Sequence, residues 1–249
     1  MMMTYNPLFS IITVCFRSSK TIERTFLSVL EQSFTNYEYI VIDGGSDDGT
    51  VDVIKEYETL FKNKGIVFRW ISEPDKGIYD AMNKGIKMAN GEYIALLNSD
   101  DSYECDALKN VSEAIGNNPG YDVYHGLLRI WKGDSVIKII GSEISVLKER
   151  MIEHPTCFIS NKAYSNYGLY SLKFKLASDY DLIARMKSLG ARFFLIENIL
   201  TNYGLDGLGH GYVSELEALT IRKNNHYISC SEYFIKRLKI ELKHLYEKL

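Results

Sequence analysis

Tyr37-Glu38-Tyr39-Ile40-Val41-Ile42-Asp43-Gly44-Gly45-Ser46-Asp47-Asp48-Gly49-Thr50 is the stretch that decides the fold. All but one of its first six residues are apolar or aromatic, and three are β-branched, the composition of a strand buried on both faces. The run stops at Asp43, crosses a Gly/Ser/Asp turn, and takes on helical character from Gly49 to Phe61. A buried strand that ends in a carboxylate and leads into a helix is one unit of a parallel α/β sheet.

The same alternation extends to both sides. Leu8 to Cys15 reads as a buried strand, and Thr21 to Gln32 as a helix with Ile22, Phe26, Val29 and Leu30 on one face. Ile66 to Ile71 and Glu92 to Leu97 read as strands, separated by a helix at Ile78 to Ala89. The expected fold is α/β, with a mostly parallel central sheet flanked by helices and ligands bound outside the carboxyl ends of its strands. Beyond residue 120 the pattern loosens. Tyr121 to Ile140 reads as short antiparallel strands, Ala177 to Leu189 as a helix, Phe193 to Ile196 as a strand, and the end from Glu215 as helical.

At 249 residues the chain suits one large domain, or one with a modest appendage. A net charge of −3 argues against a general nucleic-acid binder. Cys15, Cys105, Cys157 and Cys230 are scattered with no C-x-x-C pair, so they read as reduced thiols rather than as zinc ligands or a redox motif. No apolar run reaches membrane-spanning length, and the N-terminus lacks a basic and apolar signal pattern, so a cytoplasmic location is expected.

Acidic residues gather just past the strand ends. Asp43 closes one strand; Asn98-Ser99-Asp100-Asp101 follows another. Adjacent carboxylates at the end of a buried strand are costly unless paired or bound to a cation, and hard divalent ions prefer such oxygen ligands. The plain alternative is that Asp101 or Ser102 caps the next helix. In Glu73 to Gly85, Asp80, Asn83 and Lys84 share one helical face. Asp179 and Asp181 lie near a predicted helix start, where the helix dipole or a capping role accounts for them equally well.

Taken in order, Ser10 to Val14, Ile42 to Thr50, Asp75 to Gly85, Asn98 to Asp101, His154 to Thr156 and Ser178 to Leu182 resemble family 2 glycosyltransferases of GT-A fold, especially bacterial enzymes of capsule or O-antigen polysaccharide synthesis. The resemblance implies a GT-A domain over 1–211, with a nucleotide-sugar half at 1–103 and an acceptor and catalytic-base half at 104–211. A helical extension follows at 212–249. It implies inverting transfer of a sugar from a nucleotide-diphosphate sugar, UDP-linked by default, to an acceptor hydroxyl on a saccharide or lipid-linked saccharide. Thr13, Asp43, Asp75, Asn83, Lys84 and Asp100 fall to the donor. Asp101, the last residue of a DXD-like motif that here reads Asn-Ser-Asp-Asp, would hold Mn²⁺ or Mg²⁺. Asp179 would be the base, with Asp181 as second choice for that role. His154 would line the acceptor or diphosphate side, and Gly207 and Gly209 would belong to a lid. Many relatives carry Glu-Asp where this chain has Ser178-Asp179, which touches acceptor positioning rather than the base itself.

Two other readings of the chemistry are a polyprenyl-phosphate glycosyl synthase and a non-catalytic sugar-nucleotide binder. A nucleotidyltransferase is disfavoured, because the residues after the first strand, Cys15 to Lys20, contain no glycine for a phosphate loop. Near the C-terminus, Ile235, Leu238, Leu242, Leu245 and Leu249 form a helical apolar stripe among Lys236, Arg237, Lys239, Lys243 and Lys248. Such a stripe serves a membrane surface, a homodimer or packing on its own domain.

Overall fold

The structure is a computed structural model that describes residues 6–204 and 211–246. Along the chain run β1 (Phe9–Cys15), α1 (Ile22–Leu30), β2 (Tyr37–Asp43), α2 (Thr50–Asn63), β3 (Val67–Ser72), α3 (Ile78–Met88), β4 (Tyr93–Leu96), β5 (Ser102–Tyr103) and α4 (Ala107–Asn117). There follow β6 (Val123–Lys132), β7 (Ser135–Ile140), β8 (Phe158–Ser160), α5 (Asn161–Tyr167), α6 (Ser178–Ser188), β9 (Phe193–Gly204), α7 (Tyr212–Asn224) and α8 (Cys230–Tyr246).

All the strands join one sheet in the order β3-β2-β1-β4-β8-β6-β9-β5, with β7 pairing on β6. The first four pair with one another in parallel, as the sequence pattern predicts. β8 then runs antiparallel between β4 and β6, while β6 and β9 pair in parallel. Residues on either side of position 103 therefore build the same sheet.

Every residue of β1 and β2 is buried because helices cover both faces. Phe9, Ile11, Tyr37, Tyr39 and Val41 meet Ile22, Phe26, Val29, Ile54 and Phe61 of α1 and α2. Ile12, Val14, Ile40 and Ile42 meet α3 and α6 on the other face. Each such side chain contributes about 1.5–3 kcal/mol on burial. α3 lies close on β1 because of Gly85, where an added Cβ would stand 2.5 Å from Ile12 Cγ2.

The second half departs from the sequence reading in several places. β9 continues to Gly204, well past Ile196, because β5 and β6 supply ladder partners along it. α4 sits in a stretch to which the sequence analysis assigns no element; it buries Ala107, Leu108 and Val111. The C-terminal region is two helices. Ile221 of α7 joins the main core, and α8 rests on α7 through Tyr233 and Ile240 against Leu219 and Ile228. The apolar stripe of α8 does not pack on its own domain: Ile235, Leu238, Leu242 and Leu245 are all more than half exposed. Leu249 and Lys248 lie outside the described residues. Among the described residues no helix is long and apolar enough to cross a membrane.

Candidate active site

Two cavities open at the carboxyl ends of the parallel strands, where a doubly covered sheet leaves its loops to form a crevice. One, of about 580 Å³, is walled by Val14 to Ser18, Gly44, Pro74, Asp75 and Ser99-Asp100. The other, of about 760 Å³, contains Asp179, Tyr79, His154 and Met82. Ile78, Asn98 and Tyr203 line both, so the two chambers share a wall.

In the smaller cavity Phe16 is 58% exposed and Arg17 has a positive φ of 52°. That backbone region is uncommon for a side-chain-bearing residue. Arg17 is held by a two-pronged pair with Asp47, at 2.8 and 2.9 Å. Asp75 reaches the cavity because Lys84 Nζ bonds its carboxylate at 2.5 Å and Glu73 at 2.8 Å. Lys84 thus fixes the turn before α3, and Gly77, with φ of 114°, starts that helix.

Three residues expected at the donor are placed otherwise. The Thr13 hydroxyl is fully buried and pairs with Tyr39 OH at 2.8 Å. Asn83 uses both ends of its amide on the Tyr170 backbone, at 2.9 and 3.0 Å, clamping α3 to the loop before α6. Asp43, fully buried, accepts from Gly45 N, Ser46 N and Ser72 Oγ on one oxygen and from Ser46 Oγ on the other. It shapes the loop that walls the cavity.

Asp100 and Asp101 stand differently from each other. Asp100 lines the smaller cavity, while Asp101 is fully buried beneath it. Asp101 Oδ2 accepts from Asn98 Nδ2 at 3.3 Å, and Oδ1 has no partner among the described residues. Burial, then the neighbouring Asp100 charge, pushes the Asp101 carboxyl well above its ordinary range, with Asn98, the Gly204 backbone N–H and Arg24 opposing. Burial also raises Asp100. Neither residue caps a helix, since α4 begins only after Asp106. A desolvated carboxylate pair with an orphaned oxygen fits a divalent cation. Among the described residues no three His, Cys, Asp or Glu converge, so the remaining ligands of such an ion would come from substrate or water.

In the larger cavity Asp179 opens α6. Its Oδ1 accepts from Tyr79 OH at 3.1 Å and from Tyr180 N at 2.8 Å. No side chain caps α6 at its N-cap residue, Ala177. Instead Glu217 of α7 accepts from the backbone N–H groups of Lys175, Leu176 and Ala177 at 2.8, 2.8 and 3.0 Å. His154 is buried, pairs with Tyr170 OH at 2.7 Å, and is pushed down from 6.5 by that burial, against the nearby Asp179 charge. Tyr170 in turn stacks on Tyr79, ring centres 5.5 Å apart. Asp181 is turned to Arg185, 3.5 Å away, and lines neither cavity. Gly207 and Gly209 lie outside the described residues.

Phe16, Arg17, Tyr79, Asn98, Tyr170 and Tyr203 have no place among the site residues expected from sequence. Only Tyr79 and Asn98 carried a signal, being inside the segments quoted above.

Comparison with known proteins gives the family and the fold. The profile described as Glycosyl transferase family 2 matches residues 10–167, and the chain belongs to that family. It is 29% identical over 186 residues to a PGL/p-HBAD biosynthesis glycosyltransferase of Mycobacterium bovis, covering 72% of this chain and 69% of that one. It is 32% identical over 213 residues to an uncharacterized glycosyltransferase of Mycobacterium tuberculosis, covering 83% and 79%. The putative teichuronic acid biosynthesis glycosyltransferase TuaG of Bacillus subtilis shares 37% over 112 residues, 45% of this chain and 43% of that protein. In fold the chain resembles S. aureus TarS in complex with UDP, with a TM-score of 0.70 at 17% identity, covering 95% of this chain and 71% of the other. It also resembles a mannosyltransferase of Pyrobaculum calidifontis in complex with GDP-Man and Mn²⁺, with a TM-score of 0.70 at 16% identity, covering 96% and 70%.

Proposed function

We propose that the smaller cavity takes a nucleotide-diphosphate sugar, UDP-linked by default, and that the larger one presents the acceptor hydroxyl to Asp179 for inverting transfer. The observation that carries this reading is the shared wall at Asn98 and Tyr203. It puts the chamber lined by Asp100, with buried Asp101 beneath, next to the chamber lined by Asp179, which supports a donor side and an acceptor side. Solved structures of similar fold hold UDP, UDP-GlcNAc or GDP-Man, which supports the donor class.

Phe16, exposed at the mouth, offers a ring for the nucleotide base to stack on. Asp100 and Asp101 would hold Mn²⁺ or Mg²⁺, which when bound offsets charge on the departing diphosphate. Asp179 keeps Oδ1 occupied by Tyr79 and the Tyr180 N–H, and that orients Oδ2 to receive the acceptor proton. The acceptor oxygen then bonds to the anomeric carbon as the sugar–phosphate bond breaks, its electron pair leaving with the nucleotide. His154 and Tyr170 buttress Tyr79 and hence the base. The apolar wall of the larger cavity, including Met82, Leu128, Ile130 and Ile140, suits a lipid-linked or otherwise partly apolar acceptor of cell-surface glycan synthesis.

Calorimetry with a panel of nucleoside diphosphates, with and without Mn²⁺, tests the donor half. Asp179→Asn tests the other: donor binding should persist while transfer falls by about 10²–10⁴-fold. Loss of nucleotide binding in that variant, or undiminished transfer, would place the base elsewhere.

A further inference from the structure

The stripe of α8 faces outward. Phe234, Ile235, Leu238, Leu242, Leu245 and Tyr246 are between 55% and 81% exposed. At 100° per residue these six fall within about a third of the helix circumference. The opposite side holds the helix to the body. Tyr233 and Ile240 pack on α7, Lys223 lies over the Tyr233 ring, and His244 stacks on Tyr212 with ring centres 4.0 Å apart. An apolar face is thus presented outward on a helix whose own packing is already satisfied.

We propose that this face of α8 lies on an anionic lipid bilayer. Charge complementarity chooses the occupant. α8 carries Lys236, Arg237, Lys239 and Lys243 against Glu232 and Glu241, on a chain of net charge −3. Lys239, Lys243 and Lys236 border one edge of the apolar face, and Arg237, paired with Glu241, the other, a basic border of the kind an interfacial helix carries. Lys236–Glu232, Arg237–Glu241 and Lys243–Glu215 are exposed pairs, worth little and readily exchanged for lipid phosphates.

Position supports the same occupant. α8 supplies Lys236, Lys239 and Ile240 to the wall of the cavity that holds Asp179. On the reading of that cavity as the acceptor side, a lipid surface under α8 lies beside the acceptor's entry. The β6–β7 hairpin lines the same cavity through Ile130 and Ile140, and its Val136, Ile137 and Ile139 are about half exposed. It offers a second apolar contact.

Cosedimentation of the full chain with phosphatidylglycerol/phosphatidylcholine vesicles, against phosphatidylcholine alone, is the test. Binding should require phosphatidylglycerol and weaken with salt. Leu238→Glu with Leu242→Glu should lower partitioning by roughly a hundredfold, and Lys239→Ala by about fivefold. Circular dichroism and UDP calorimetry on the double variant should match the parent, which separates loss of docking from loss of fold or donor site. A parent protein that ignores anionic vesicles overturns the proposal. So does a double variant that binds them as well as the parent. A parent dimer that the double variant dissociates, without vesicle binding by either, would assign the face to a second copy instead.

Discussion

Glu38 and Asp101 are both carboxylates with at most 1% of their surface exposed, at opposite ends of the same parallel strands. Glu38 is surrounded by donors: Ser10 Oγ at 2.6 Å, Arg69 Nη2 at 2.7 Å and Asn90 N at 2.6 Å. Asp101 has one side-chain amide at 3.3 Å and a weak approach of the Gly204 N–H, and its Oδ1 has no hydrogen bond of good geometry among the described residues. The same chemical group, equally buried, is complete at one end and incomplete at the other. A satisfied buried charge fixes structure; an unsatisfied one carries a standing cost that a bound ligand relieves.

The sharpest way to break this comparison is to exchange the two carboxylates' fates. Asp101→Ala should cut metal-dependent UDP binding and turnover by about 10³-fold while leaving the melting temperature unchanged or higher. Glu38→Gln should do the reverse. It leaves Arg69 without its ion pair, costing about 3 kcal/mol in chemical denaturation, and spares donor affinity in the folded protein. An unfolded Asp101 variant, or a neutral Glu38 variant, would dissolve the contrast.

A pH series sharpens it. Asp101 is raised by burial above the ordinary aspartate value of 3.8. Below that value both folded and unfolded chains hold the proton. As pH rises past it the unfolded chain ionises first, so metal-free stability falls until the folded carboxyl also ionises. Asp101→Asn should lack this component, and the gap between the two denaturation curves should widen with pH from about 3.8 upward. A gap that stays constant would mean that Asp101 ionises alike in both states.

Smaller effects test the neighbours. Tyr79→Phe removes one hydrogen bond to Asp179 and should lower transfer about tenfold at unchanged donor affinity. Thr13→Val should cost about 1 kcal/mol of stability through the lost Tyr39 bond and leave nucleotide binding untouched. A weakened donor in that variant would return Thr13 to the site.

The parallel half of the sheet was legible because its signal is local. Each strand is a mostly apolar run, β2 ends at a carboxylate, and each helix shows its apolar face at the expected spacing. The antiparallel additions were less so, since β5 and β8 are two and three residues long and exist only through partners distant in sequence. Among the expected site residues, the family motifs mark segments but not side-chain direction. Thr13 and Asn83 lie within matched segments, yet the structure turns their polar atoms toward Tyr39 and the Tyr170 backbone. Tyr170, Tyr203 and Arg17 carry no motif of their own. Arg17 and Tyr203 reach the cavities, and Tyr170 packs behind Tyr79, through loop geometry and through the length of β9, neither of which periodicity encodes. The α8 stripe was read as amphipathic from spacing alone, but its outward direction depends on Tyr233 and Ile240 taking the inner side.

Glu217 has a consequence for how such chains can be recombined. Its carboxylate gathers three backbone N–H groups just ahead of Asp179, so the C-terminal helices are tied to the segment that carries Asp179. Exchanging residues 212–249 for those of a relative would therefore replace a strut of that segment together with any surface the tail presents. A chimera keeps Asp179 in register only if the incoming helix brings a carboxylate to the same three donors.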